Sequence, residues 1–184
     1  MENKKINKIL ILCVILLQIG FILSIPVIKE AEIRSGKVIV VETIPVDPQS
    51  LFRGDYINLN YEFSTIDLRK VKHDKRYFEK GQRVFVKLSK ATGSWEAVQV
   101  SSKPIENIGP NEVMIIGSVK SSGPWDDNIS VVYGIESYFV PEGKGKYIEE
   151  KIIDKRVTVE LSISKRGFAS VRRIFIDEKE VKFR

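Results

Sequence analysis

The feature that most constrains this chain is an uncharged run at residues 9–28, in which only Gln18 and Ser24 are polar. A helix of twenty residues extends about 30 Å, which matches the hydrocarbon thickness of a bilayer. Because that hydrocarbon offers backbone groups no hydrogen-bond partners, a run of this length must be helical there. We therefore predict a transmembrane anchor at residues 9–28.

The charges that flank this run predict its orientation. Three lysines and one glutamate precede it within residues 1–8. Positive flanks stay on the cytoplasmic side of a membrane. We therefore expect a cytoplasmic N-terminus at residues 1–8 and an extracytoplasmic domain at residues 29–184 of a single-pass cell-membrane protein. The outer flank has basic residues of its own, so this charge bias is modest.

A cleaved signal peptide is the alternative interpretation of the same run. Such a peptide has an apolar core of about 7–15 residues followed by a site of small residues. Here the core is longer, and no Ala-x-Ala pattern follows it. Cys13 lies inside the run after the bulky Leu12, which does not suit a lipoprotein anchor. An uncleaved signal-anchor is therefore the favoured prediction.

Composition restricts the classes of site and partner. The chain has 1 Cys and 1 His, so neither a disulfide framework nor a zinc site is expected, and no metal or cofactor is predicted. Of the formal net charge of +6, +4 remains beyond residue 30. No recognition helix or concentrated basic face accompanies this excess, so no nucleic-acid partner is expected. The basic run at residues 69–76 predicts a solvated loop, with contact to anionic lipid as the alternative.

Beyond the anchor, the apolar pattern has a period of two, which is typical of half-buried strands. We predict strands at residues 37–43, 56–63, 83–88, 95–100, 113–119, 130–138, 156–163 and 169–176. Tight turns are expected between the third and fourth strands and between the last two. About eight strands favour a mainly β domain, either a barrel or a sandwich. At most one short helix is expected, at residues 144–154.

The segment at residues 45–63 combines a turn-rich approach with an alternating strand. Pro45 and Pro48 favour a loop or a sheet edge, and residues 53–55 (Arg-Gly-Asp) favour a tight turn into the strand. One predicted strand face is apolar and belongs to the core: Ile57, Leu59, Tyr61 and Phe63. The opposite face is polar and carries Tyr56, Asn58 and Asn60.

Residues 54–61 read GDYINLNY, and they match every fixed position of the signature that names the GDYXXLXY protein family. A second block, residues 133–143 (YGIESYFVPEG), also resembles that family. The resemblance covers nearly the whole chain, including the apolar run. It implies a membrane-anchored bacterial protein of unknown function. Some members lie beside, or are joined to, multi-pass membrane proteins, so the resemblance implies a membrane partner and no reaction.

These two blocks supply the candidate binding residues. They are Arg53, Gly54, Asp55, Tyr56, Asn58, Asn60, Tyr133, Glu136 and Tyr138. We predict an accessory subunit that binds a multi-pass membrane protein through this surface. A purely structural interpretation stands beside it. In that case Arg53 and Asp55 stabilise the turn, and Glu136 pairs with a basic neighbour.

An enzyme is the alternative class, and we expect it less. A cell-envelope hydrolase would use Asp55 and Glu136 as paired carboxylates, about 5–10 Å apart. Residues 50–55 also resemble the end of the nucleophile region of signal peptidases. Val46 then falls where the serine should be, which argues for an inactive scaffold. Ser50 with Lys87 as base is a further option, and we assign no catalytic residue.

Three other patterns have simpler interpretations. His73 lies among charged residues and is expected to be solvated. Residues 126–128 (Asp-Asp-Asn) lack the alternating spacing of a calcium loop. The Arg-Gly-Asp triplet is interpreted as a turn rather than an adhesion motif. Residues 128–130 form a glycosylation sequon, which matters only in a host that glycosylates such sites.

Overall fold

The computed structural model describes residues 2–44, 56–91, 93–123, 127–139 and 157–181. The chain divides into two compact units, residues 1–35 and 36–184. The first unit is the helix α1, Glu2–Ser35. Its stretch Leu10–Ser35 is long and apolar enough to cross a membrane, and no other helix of the described ranges is. The prediction of an apolar N-terminal helix is confirmed, and the helix continues past residue 28 to Ser35.

The second unit consists of short strands. They are β1 (Lys37–Ile44), β2 (Tyr56–Asn58), β3 (Asn60–Tyr61), β4 (Thr65–Asp67), β5 (Lys72–His73), β6 (Arg83–Ala91), β7 (Ser94–Ser101), β8 (Glu112–Ser122), β9 (Asn128–Val132), β10 (Ser137–Phe139), β11 (Val157–Ile163), β12 (Ala169–Ile176) and β13 (Lys179–Glu180). A 3-10 turn at Glu62–Ser64 separates β3 from β4. The mainly β prediction is confirmed, with more and shorter strands than the eight expected.

These strands form three sheets that enclose one core as a half-barrel. The five-stranded sheet has the order β13-β12-β11-β1-β3, and the six-stranded sheet has the order β4-β9-β8-β6-β7-β5. A two-stranded ribbon of β10 and β2 completes the set. All pairings are antiparallel except that of β5 with β7. Hairpins supply some of these pairings, whereas β1 with β11, β2 with β10 and β4 with β9 join segments far apart in the sequence.

Alternation explains which strands line the core. In β8, buried and half-buried residues alternate from Glu112 to Val119. In β6, the side chains of Val84, Val86 and Leu88 are fully buried. Period-two burial of β-branched and aliphatic side chains is what a pleated strand with one face on a core requires. The apolar pattern thus specifies the inner face of each long strand.

The two predicted hairpins are confirmed. Strands β6 and β7 pair from Ala91 and Ser94 outward, around a turn in which Gly93 has a φ of 107°. Strands β11 and β12 pair from Ile163 and Ala169 outward. Both turns lie where the sequence places Gly between alternating runs.

Two segments predicted as continuous strands are interrupted in the structure, so the prediction of one strand in each is wrong. The run at residues 56–63 is interrupted at Leu59 and ends in the 3-10 turn. The run at residues 130–138 is interrupted by a turn at residues 133–136. The apolar alternation continues through both interruptions while the backbone changes sheet. As a result, residues 56–67 pass through all three sheets: β2 in the ribbon, β3 beside β1, and β4 beside β9.

The predicted short helix at residues 144–154 lies outside the described residues, as do residues 45–55 at the approach to the motif.

Candidate functional site

The two sequence blocks meet in the ribbon of β2 and β10. Their antiparallel register pairs Asn58 with Ser137 and Tyr56 with Phe139. The pairing continues beyond the strands, because the backbone N–H of Leu59 donates to the carbonyl oxygen of Glu136 at 2.7 Å. Residues separated by about eighty positions in sequence therefore form one surface element.

Two tyrosines link the blocks by hydrogen bonds, one donated from each block to the other. The hydroxyl of Tyr61, from the first block, donates to the carbonyl oxygen of Ile135 at 2.8 Å. The hydroxyl of Tyr133, from the second block, donates to the carbonyl oxygen of Phe63 at 2.6 Å. Both bonds are buried, and each satisfies a backbone carbonyl that the interrupted strands leave without a ladder partner.

Phe63 lies between these tyrosines. Its ring is stacked on that of Tyr61 at 5.2 Å between centroids, and it meets the ring of Tyr133 edge-on at 5.3 Å. Burial raises the pKa of both tyrosines, and the negative charge of Glu136 raises each pKa further. The phenols therefore stay protonated and act as hydrogen-bond donors throughout the physiological range.

Gly117 makes room for this cluster. A Cβ atom at this position would lie 2.4 Å from Cγ1 of Val131 and 3.0 Å from Cδ1 of Tyr133. Both distances are shorter than normal carbon contacts, so any larger residue would push against the side chains of Val131 and Tyr133. The position of Tyr133 therefore depends on a glycine in the neighbouring strand β8.

Glu136 caps the turn that precedes β10. Its Oε1 accepts the backbone N–H of Tyr133 at 2.5 Å, and its Oε2 accepts that of Gly134 at 2.8 Å. Gly134 has a φ of 80°, a conformation that a residue with a side chain adopts at a cost. The glycine thus serves the turn, and nothing lies within 4 Å of where its Cβ would be. The carboxylate is held by backbone donors, where sequence reasoning had expected a basic neighbour.

The remaining predicted residues occupy different environments. Tyr133 is buried, so its side chain belongs to the core. Asn60 is exposed, while Asn58 and Tyr138 are half-buried and hold interactions with the rest of the protein. Tyr56 lies in β2, but only its backbone is described. Arg53, Gly54 and Asp55 lie outside the described residues.

Phe139 is a surface residue that sequence reasoning missed. It ends β10 opposite Tyr56, and its side chain is 62% exposed. Phe139 thus adds an exposed apolar side chain to the ribbon of β2 and β10. The signal was present in the sequence, because Phe139 belongs to the second block and follows Tyr138 in an alternating run.

The other candidate catalytic groups are engaged elsewhere. Nζ of Lys87 lies 3.2 Å from Oε2 of Glu112, which also accepts the backbone N–H of Gly109. Ser50, its proposed nucleophile, lies outside the described residues. His73 is exposed, and its Nδ1 lies 3.0 Å from the carbonyl oxygen of Lys75. Across the described ranges, no group of three or more His, Cys, Asp or Glu side chains could hold a metal ion.

The basic run at residues 69–76 is largely exposed, as the prediction of a solvated segment requires, although two of its residues form a short strand. Lys72 and His73 form β5, and Asp74 accepts hydrogen bonds from Ser101 and Ser102 at 2.6–3.2 Å. Partial burial of Asp74 opposes its charge, but these hydrogen bonds outweigh burial and lower the pKa of that carboxyl. The acidic residue of the run is therefore turned toward the domain.

The sequence model of the GDYXXLXY protein family matches residues 18–174, which is most of the chain. The chain belongs to the GDYXXLXY protein family. The fixed Leu and last Tyr of the GDYXXLXY motif are Leu59 and Tyr61, and both are core residues that bond to the second block. No curated protein and no solved structure matches the chain.

Proposed function

We propose that this GDYXXLXY protein is a membrane-anchored accessory subunit whose extracytoplasmic domain binds a multi-pass membrane protein. The observation that supports it most is the ribbon of β2 and β10, in which the two blocks pair and Phe139 is exposed. The family resemblance supports the class of partner. The proposed contact surface is this ribbon together with Asn60.

The anchor in this proposal is the apolar part of α1. The stretch Leu10–Ser35 is long enough to span a bilayer, and most of its described side chains are exposed, including Leu17 at 73% and Phe21 at 68%. Side chains of this kind are stable in lipid and costly in water. The lysines before the run favour a cytoplasmic N-terminus, so the β domain would lie outside the cytoplasm.

The ribbon has the properties of a recognition surface. The bonds from Tyr61 and Tyr133 hold it against the core, so little conformational entropy would be lost when a partner binds. Phe139 offers one exposed aromatic side chain, a type that is enriched at protein interfaces. Asn60 adds polar groups that can fix orientation.

The chemistry of Glu136 favours binding over hydrolysis. Both of its carboxylate oxygens accept backbone N–H groups within its own turn. A general acid or base must reach a substrate proton, and these bonds fix the carboxylate within its own turn. Glu136 is therefore better suited to shaping the ribbon than to acting with Asp55 in acid–base chemistry.

Co-purification tests this proposal. The tagged chain is extracted from its native membrane in mild detergent, and proteins that remain bound are identified. We expect a stoichiometric multi-pass partner for the unaltered chain and for Phe168→Ser, a matched control whose aromatic side chain is 51% exposed in the hairpin of β11 and β12. Phe139→Ser should lose the partner while keeping the far-ultraviolet circular dichroism of the parent. A partner retained equally by both variants, or a solitary monomer, would exclude the proposal.

A further inference from the structure

Among the residues that the structure describes, the six-stranded sheet leaves two strand edges open toward a common groove. One edge belongs to β4, which pairs only with β9 among the described strands. The other belongs to the first half of β7, because β5 covers its outer edge only at Gln99 and Val100. Residues Thr65–Asp67 and residues 96–98 both line one groove of about 340 Å³. The two ends of the sheet thus approach each other without pairing.

The directions of these edges define what can fill the gap. Each step from β4 through β9, β8 and β6 to β7 is antiparallel, so β4 and β7 run in the same direction. One strand running the opposite way would be antiparallel to both edges at once. Antiparallel pairing is what the rest of this sheet uses, and a row of unpaired N–H and C=O groups is a template for it.

The side chains of the groove specify the character of that strand. Phe63 and Ile66 are buried beneath it, and Ala97 and Val98 are half-buried in its wall. Four charged residues lie at the margin of the groove: Glu62, Asp67, Lys70 and Glu96. Asp67 pairs with Arg69 at 3.0 Å, whereas Glu62 and Glu96 lie within 4 Å of no cationic group in the part of the chain described. The groove is therefore apolar inside and acidic at its rim, on a domain whose overall charge is positive.

We propose that this groove binds an extended segment of a partner protein by β-augmentation, with apolar side chains directed inward and Lys or Arg side chains directed toward Glu62 and Glu96. The inserted strand would join β4 to β7. The charge of the rim selects a cationic segment, and the two open edges select an extended one. None of the described lining residues belongs to the ribbon of β2 and β10, so this site goes beyond the surface described above.

Peptide binding to the full chain in nonionic detergent tests the proposal. The probe is an end-capped, labelled heptapeptide of alternating Lys and Val, followed by fluorescence anisotropy. A second peptide has the same sequence with alternate backbone nitrogens methylated, which removes donors but keeps charge and apolar surface. We expect saturable binding of the first peptide and at least about tenfold weaker binding of the second. Hydrogen exchange should slow in fragments that contain residues 65–67 and 96–98.

Charge variants locate the site. Glu62→Lys combined with Glu96→Lys should weaken binding at least about tenfold, since two attractive contacts become repulsive. The matched control is Glu106→Lys, a change of the same charge at an exposed position outside the groove, and it should bind like the parent. Circular dichroism confirms that each variant is folded.

Several results would overturn the proposal. Equal binding of the methylated peptide would show that backbone pairing is not involved. An equal loss of peptide binding in Glu106→Lys would show that the effect depends on net charge alone. Absence of peptide binding would rule out a cationic strand as the ligand of the groove. Protection from hydrogen exchange that rises with protein concentration alone would show that a second copy of the chain occupies the groove.

Discussion

Tyr61 and Ile135 are joined by a buried hydrogen bond of 2.8 Å from the phenol hydroxyl to the backbone carbonyl. The bond links the last residue of the GDYINLNY segment to the second block, and Tyr133 returns the same kind of bond to Phe63 at 2.6 Å. The motif therefore contributes to the fold as well as to the surface, because its buried residues connect the three sheets.

Removing either hydroxyl should destabilise the domain. Tyr61→Phe and Tyr133→Phe each leave a buried carbonyl without its donor, which costs about 1–3 kcal/mol. Urea unfolding of the detergent-solubilised chain, followed by circular dichroism, measures this loss. Tyr77→Phe is the matched control, because Tyr77 is 46% exposed and its change should cost little. A loss in the control as large as in the core variants would contradict the role assigned to the two bonds.

The stability of the domain should fall at high pH. Tyrosine in an unfolded chain ionises at about pH 10. In the folded state, burial raises the pKa of Tyr61 and Tyr133, and the charge of Glu136 raises it further. The stabilisation is complete below about pH 10 and declines above it, because only the unfolded chain releases those protons. Each tyrosine contributes a slope of up to about 1.4 kcal/mol per pH unit. Urea titrations between pH 8 and 11 should show a shallower decline in Tyr61→Phe than in the parent, and identical slopes would refute the assignment.

Two substitutions of glycine by alanine should destabilise the domain for different reasons. Gly117→Ala places a methyl group against Val131 and Tyr133, and overpacking of this kind costs about 1–3 kcal/mol. Gly134→Ala meets no atom but must hold a φ of 80°, at a cost of about 1–2 kcal/mol. Adding Val131→Ala should recover part of the stability lost in Gly117→Ala and none of the stability lost in Gly134→Ala. Additive losses in both double variants would show that the contact at Gly117 is not what limits its size.

Glu136 should behave as a structural cap. Glu136→Ala removes the acceptor of two backbone N–H groups, so we expect a loss of about 1–3 kcal/mol in the free energy of unfolding. Glu106→Ala, at an exposed position, provides the control and should change stability by less than about 0.5 kcal/mol. Unchanged stability in Glu136→Ala would contradict the structural role assigned to its carboxylate.

Much of the fold could be predicted because its signals are local. The apolar alternation in β6, β7, β8, β11 and β12 places side chains on two faces, and only one of these faces can be buried. The turns at Gly93 and Gly167 are marked by the residue that best accepts their positive φ values. The apolar face of residues 59–63 was also predicted, and its side chains are buried.

The candidate site could be predicted only in part. Glu136 and Tyr133 were identified by their block, yet their roles depend on partners that alternation does not reveal. The turn at residues 133–136 was missed because Tyr133 and Ile135 still alternate with Gly134 and Glu136. The break depends on a carboxylate that accepts two backbone N–H groups. The approach residues Arg53, Gly54 and Asp55 lie outside the described part of the chain, so their binding role stays a prediction.

The sequence by itself determined the apolar helix, the mainly β character of the domain and its family. Each of these follows from composition, period and motif, which are properties of neighbouring residues. Only the tertiary structure decided that β2 pairs with β10, that Tyr61 and Tyr133 exchange hydrogen bonds with the opposite block, and that β4 and β7 leave a groove between them. Those contacts join residues far apart in the chain, and they form because one core must satisfy buried polar groups from several strands at once.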